Sequence, residues 1–332
     1  MMIKTYNIAY ATDDTFAPTL GVSIFSLLYN NKDAQQINVF IMDSGISNDN
    51  RIKLEEIFDN FNNASLKWIK MKSISEKMGI DVKNDRGSFS QYSRFFVGDI
   101  LDSTINRVLY LDCDTLIVSS IVNLWNINLE QNIVAAMDDA FSKYYRKNIN
   151  LNDSASMFNS GVMLIDLQKW RKYNVKNKLL RFIEKNKGKV QQGDQGALNS
   201  VLSEKTFSLD PCYNLVSIFY DLTYKEIQLY RGPVGFFSES EIENAKEKPV
   251  IIHFTSSFYS IRPWYKNSNH KLKNLWLQYY MQTPWRNTPL LIENNKSRKM
   301  ANKLFKTKLR KPFLFSAGIF QKYIRPFKNR FM

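Results

Sequence analysis

The chain has 332 residues, of which 44% are apolar and 14% aromatic, enough to bury a sizeable core and too much for a disordered protein. Its two cysteines, Cys113 and Cys212, stand far apart in no metal-ligand spacing, which excludes a disulfide framework and a structural zinc site and fits a reducing cytoplasm. The net charge of +15 is uneven: no acidic residue follows Glu293, so the twelve Lys and Arg residues beyond it carry most of the charge and the body is nearly neutral.

Ile8-Ala9-Tyr10-Ala11-Thr12-Asp13 reads as a buried strand ending in polar residues, and Phe16 to Tyr29 has apolar residues at helical spacing. This start holds no apolar core of signal-peptide type, so no export is expected, and no run approaches the roughly 18 apolar residues of a membrane span. Ile37 to Met42 is the next strand, Ser47 a helix N-cap, Arg51 to Phe61 a helix, and Leu66 to Met71 a third strand. Ser88 to Leu101 is expected to be helical. Alternating strands and helices predict an α/β fold with a mainly parallel sheet flanked by helices, and ligands bound beyond the carboxyl ends of the strands.

Arg107 to Leu111 is an apolar strand that runs into Asp112-Cys113-Asp114. In extended backbone Asp112 and Asp114 share one face while Cys113 turns into packing. Two converging carboxylates suit a hard divalent cation, Mn²⁺ or Mg²⁺, which in turn favours phosphate oxygens of a substrate. Asp13 ends another strand that can converge on the same crevice. Ile133 to Met137 and Phe158 to Asp166 follow as strands. Gly193-Asp194-Gln195-Gly196 opens a short helix through Leu202, and Val250 to Phe254 is a late strand with His253, one of only two histidines. Polar connections at 72–87 and 140–157 are candidates to shape an acceptor site or act as lids. Neither a Gly-x-Gly-x-x-Gly fingerprint nor a Walker loop is present, which argues against a dinucleotide dehydrogenase or P-loop enzyme.

In the tail, Met300, Ala301, Leu304, Phe305 and Leu309 share one helical side, with Lys299, Lys303, Lys306 and Arg310 opposite, before Pro312 interrupts. Phe313, Phe315, Ile319, Phe320, Tyr323 and Phe327 add apolar anchors. Basic charge interleaved with aromatics predicts contact with an anionic membrane surface, in preference to nucleic acid or a merely solvated tail. The expected location is cytoplasmic, peripheral on the inner face of the cell membrane.

Taken together, Ala9-Tyr10-Ala11-Thr12-Asp13-Asp14, Tyr92-Ser93-Arg94-Phe95, Leu109 to Asp114, Phe158-Asn159-Ser160-Gly161-Val162, Gly193-Asp194-Gln195, His253-Phe254-Thr255, Arg262-Pro263-Trp264 and Thr283-Pro284-Trp285 resemble glycosyltransferase family 8, the retaining enzymes of GT-A fold. The resemblance implies a GT-A domain over residues 1–285 and leaves 286–332 as a basic, partly helical tail. It implies transfer of a hexose, glucose or galactose, from a UDP-sugar to a glycan or lipid-linked saccharide acceptor. Asp112, Asp114 and His253 would ligate Mn²⁺. Ala11, Thr12, Asp13 and Thr15 would hold the uridine, Arg94, Cys113, Asn159, Ser256 and Arg262 would complete the donor site, and Asp194 and Gln195 would stand at the reacting sugar. Ser256 to Ile261 is longer than the corresponding loop of relatives, lacks their glycine, and ends in Arg262 where they commonly have Lys. His270 is expected to be structural.

A strand ending in Asp-x-Asp-Thr also resembles the nucleophile motif of haloacid-dehalogenase-type phosphatases. Those begin their core with this strand, whereas here several strand-helix units precede it. A non-catalytic nucleotide-sugar binding protein is the third reading.

Overall fold

The computed structural model describes residues 5–79, 82 and 90–330. Two βα units come first: β1 (Thr5–Thr12), α1 (Ala17–Tyr29), β2 (Gln36–Asp43), α2 (Asn48–Phe58) and β3 (Ala64–Lys70). Ser47 caps α2 through Oγ, which accepts from the Asn50 N–H. Further on lie β4 (Arg107–Leu111), β5 (Thr115–Ile117), β6 (Val134–Ala136), β7 (Val162–Asp166), β8 (Thr206–Ser208), β9 (Leu215–Val216) and β10 (Ile251–His253).

Seven strands form one sheet in the order β3-β2-β1-β4-β7-β6-β8, and β5-β10-β9 form a second. All neighbours in the large sheet are parallel except those of β7, which runs against β4 and β6. Ile8 to Thr12 and Val108 to Leu111 are buried without alternation, as expected for central strands covered by helices on both faces.

The reversal of β7 matters for the site. Leu111 pairs with Val162, so the residues leaving β4 meet those entering β7, and the Asp112 N–H donates to the Gly161 carbonyl at 2.7 Å. In the small sheet Thr115 pairs with His253, which sets the histidine beside the same turn. Three segments distant in sequence thus converge at one end of the sheet.

The helix expected over Ser88 to Leu101 differs in form. Ser88 and Phe89 lie outside the described residues, as do residues 80, 81 and 83–87 of the 72–87 connection. The rest is a 3₁₀ segment, Ser90–Phe96, leading into the short helix Val97–Ile100. Nearly every residue of that segment is enclosed, so it does not present the single apolar face of a regular amphipathic helix.

Trp285 of the Thr-Pro-Trp motif lies on α1, where a Cβ at Gly21 would fall 2.4 Å from its ring. Its Nε1–H donates to Asn50 Oδ1, and Asn50 Nδ2 donates to Asp14 Oδ1, so this motif braces the loop after β1.

Further helices used below are α3 (Gly193–Leu202), α4 (Tyr224–Arg231), α5 (Lys296–Phe305) and α6 (Arg310–Ile319). The first tail helix ends at Phe305, before Pro312, which instead occupies the first turn of α6 where its missing N–H costs nothing. The buried face of α5 is Ala301, Asn302 and Phe305, while Met300 and Leu309 are exposed. On α4, Leu314 of α6 is fully buried and Arg310 forms a bidentate pair with Glu226 at 2.6 Å. A side chain at Gly318 would meet the Leu229 carbonyl at 2.7 Å, so glycine permits this close approach. Among the described residues no helix is long and apolar enough to cross a membrane.

Candidate active site

Asp112, Asp114 and His253 offer ligand atoms that all lie within 4.8 Å of one another. His253 Nε2 is 3.1 Å from Asp114 Oδ1 and 3.7 Å from Asp112 Oδ2. Two carboxylates facing one imidazole nitrogen form a cation-seeking donor set, provided that nitrogen carries a lone pair.

A chain of hydrogen bonds sets which nitrogen that is. The Gly161 backbone N–H, which can only donate, reaches Asn159 Oδ1 at 3.0 Å, so that atom is the carbonyl oxygen. The same oxygen faces Asn214 Nδ2 at 3.0 Å, which makes Nδ2 the donor and leaves Asn214 Oδ1 as acceptor. Asn214 Oδ1 lies 2.9 Å from His253 Nδ1, so Nδ1–H donates to it and Nε2 is the nitrogen turned toward the two carboxylates. The histidine is 4% exposed and its ring cannot turn without breaking this chain.

Arg94 ties the acidic groups together. Its NH2 donates to Asp112 Oδ1 at 2.7 Å, its Nε lies 3.2 Å from Asp194 Oδ2, and its NH1 donates to the Ser160 carbonyl at 2.7 Å. Burial works against its charge, but Asp112, Tyr110 and Asp194 outweigh burial and hold the guanidinium above its usual range. Gln195 on α3 is 4% exposed; its Nε2 donates to Asp139 Oδ2 at 3.2 Å, and Asn159 Nδ2 donates to the same oxygen at 3.1 Å. Asp194, Gln195 and Asn159 therefore belong to one network with the Asp112 turn.

The remaining expected donor residues divide. Cys113 is buried, its thiol pushed up by desolvation and donating to the Ala11 carbonyl at 3.2 Å, which fastens the turn to the end of β1. Thr12 is buried, and Asp13 Oδ1 caps the exposed Thr15 N–H at 3.1 Å. Arg262 NH2 lies 3.3 Å from Asp114 Oδ2. Ser256 is exposed, and its Oγ accepts from Arg298 of the tail at 3.2 Å. His270 is a core residue: burial pushes it down to about 4, and Nδ1 accepts from the Leu272 N–H.

The model of glycosyl transferase family 8 matches residues 7–268, most of the chain. The chain belongs to glycosyltransferase family 8. General stress protein A of Bacillus subtilis is 28% identical over 282 residues, spanning 84% of this chain and 94% of that protein. A putative glycosyltransferase of Haemophilus influenzae is 30% identical over 283 residues, 77% and 82% of the two chains. The lipopolysaccharide 1,2-glucosyltransferase of Escherichia coli is 25% identical over 285 residues, 84% and 79% of the two. Among solved structures, galactosyltransferase LgtC in complex with donor and acceptor sugar analogues superposes with a TM-score of 0.70 at 23% identity, covering 85% of this chain and 99% of that one. The fold is GT-A, and the protein is a glycosyltransferase.

Three residues of this family 8 site carried no signal of their own in the sequence. Asn214 orients the histidine from 39 positions away, and Asp139 joins Gln195 to Asn159. The third is Gly161: a Cβ there would stand 2.1 Å from His253 Cε1 and 2.9 Å from Asp112 Oδ2. Glycine is thus what lets the backbone pass beneath both groups.

Proposed function

We propose that the enzyme moves a hexose, glucose or galactose, from a UDP-sugar to a hydroxyl of a glycan or glycolipid acceptor in cell-surface polysaccharide synthesis, with retained configuration and Mn²⁺ as cofactor, Mg²⁺ being its closest substitute. The observation that carries this reading is the cluster of Asp112, Asp114 and His253, with Nε2 turned toward both carboxylates, in a family 8 chain. The names of the relatives support saccharide transfer, and LgtC, with donor and acceptor sugar analogues, supports a sugar donor and a saccharide acceptor. An oxygen-rich set with one imidazole favours Mn²⁺ over Mg²⁺.

Held by these three side chains, the metal would supply Lewis-acid neutralisation of the charge growing on the departing diphosphate. Arg262 adds a cationic N–H donor on the Asp114 side. Arg94 fixes the carboxylates of Asp112 and Asp194, leaving Asp194 to accept from sugar hydroxyls. Gln195 is a carboxamide and a feeble nucleophile, held by Asp139, so it steadies the sugar rather than bonding to it. The acceptor oxygen then bonds to the anomeric carbon on the face the phosphate leaves, and the acceptor proton passes to the departing UDP.

UDP release from a panel of UDP-sugars, with Mn²⁺ or with EDTA, tests the proposal. Release from one sugar, lost with EDTA and in Asp112→Asn, is the expected result; metal-independent release, or inorganic phosphate in place of UDP, refutes it.

The tail supports a peripheral membrane location. Docked on α4, it leaves Phe315, Phe320, Tyr323 and Phe327 between 45% and 59% exposed among Lys and Arg side chains. Replacing these four aromatics with serine is expected to abolish cosedimentation with anionic vesicles, and salt should weaken it in the wild type. Undiminished cosedimentation of the variant would refute this role.

A further inference from the structure

The loop that follows β10, residues 254–261, delivers Arg262 to Asp114 and contains no glycine. Its outer side is held by α5. Asn302 Nδ2 donates to the Tyr259 carbonyl, the Phe305 ring packs on the Tyr259 ring with centroids 4.5 Å apart, and Arg298 NH2 donates to Ser256 Oγ. Its inner side is held by Asp221, whose Oδ2 accepts from Ser257 and Ser260 at 2.8 and 2.7 Å.

Asn302 is the informative residue. It is 8% exposed on the buried face of a helix that is otherwise basic and solvated. Docking alone would be served by an apolar side chain there, since a buried carboxamide is tolerated only where its hydrogen bonds are met. Here its donor is met by the backbone of the active-site loop. A loop of this length keeps several conformations unless it is tied down, and a shift of about an ångström at a charged clamp is enough to cost substrate affinity.

We infer that α5 is part of the framework of the donor site, with Asn302, Phe305 and Arg298 as positioning residues that set Arg262 through the loop. The inference rests on the UDP-sugar reading above. It gives the basic tail, which lies beyond the family-matched residues, a second role: it governs donor affinity as well as location. It also accounts for how a glycine-free loop is held in place, by support from outside.

The test uses the full-length enzyme in solution without membranes. Asn302→Ala and Phe305→Ala are expected to raise the donor KM and the UDP Kd about tenfold, with kcat within about threefold of wild type. Asn302→Gln, which keeps a carboxamide donor, should recover part of the loss. Leu314→Ala, a buried anchor of α6, should lower Tm without moving the donor KM. Donor KM and UDP Kd within twofold of wild type in both alanine variants, or an equal KM shift in Leu314→Ala, would overturn the inference. If Asn302→Ala does not fold, Arg298→Ala on the partly exposed arginine takes its place, with the same direction expected and the same null result decisive. A wild-type enzyme that neither binds UDP nor releases it sinks the UDP-sugar reading and this inference together, whereas wild-type binding with unaffected variants sinks only the inference.

Discussion

Arg94→Met is expected to lower stability by about 4 kcal/mol and kcat/KM by at least about a thousandfold. The guanidinium is 3% exposed and sits between Asp112 and Asp194. Methionine fills similar volume, so the loss measured is that of charge: two carboxylates in a poorly solvated site are left facing each other. Breaking a buried pair from one side costs far more than the pair contributes, because the surviving charge has nowhere to go. Thermal melting with steady-state kinetics checks both parts. Arg94→Lys should rescue little, because a single ammonium cannot donate at once to Asp112, to the Gln91 carbonyl and to the Ser160 carbonyl while staying beside Asp194. A variant with wild-type melting and activity would show that the pairing is incidental.

Gly161→Ala is expected to leave the fold assembled and to lower activity by two to three orders of magnitude, with metal affinity down by about ten- to a hundredfold. The added methyl group would stand 2.1 Å from His253 Cε1 and 2.7 Å from Nδ1, well inside van der Waals contact. His253 cannot retreat, because Nδ1 is bonded to Asn214 and its backbone is paired in β10. The displacement is therefore passed to the ligand atoms. Far-ultraviolet circular dichroism, kinetics and Mn²⁺ titration on the one variant separate the fold from the site.

The Asp112 and Asp114 pair was legible as two acids at the carboxyl end of an apolar strand, but not by strand periodicity: β4 ends at Leu111, and Asp112 to Asp114 form the turn into β5, so a turn and not extended backbone brings the two carboxylates together. His253 was legible as an isolated polar residue at the end of an apolar strand. What could not be read is what the antiparallel β7 and the small sheet bring in. Asn214 and Asp139 look like ordinary polar loop residues, and Gly161 like one more glycine before a strand, until the fold stacks their segments. Arg94 was visible only through resemblance, since in a helical reading it is a surface residue, whereas the 3₁₀ winding encloses it. In the tail, hydrophobic periodicity sets Met300 and Leu309 on one apolar side with Ala301, Leu304 and Phe305; of these, the structure buries Ala301 and Phe305 and leaves Met300 and Leu309 exposed. The buried face also includes Asn302, which periodicity does not mark, because the loop it meets offers a carbonyl that needs a donor.

Calorimetric titration of Mn²⁺ in the presence of UDP, on wild type and His253→Ala, tests the central claim most directly. One Mn²⁺ per chain, bound tightly only when UDP is present and weakened at least about tenfold by His253→Ala, is the result expected of a metal shared between this cluster and a diphosphate. Mn²⁺ affinity that ignores both UDP and the histidine would contradict the account.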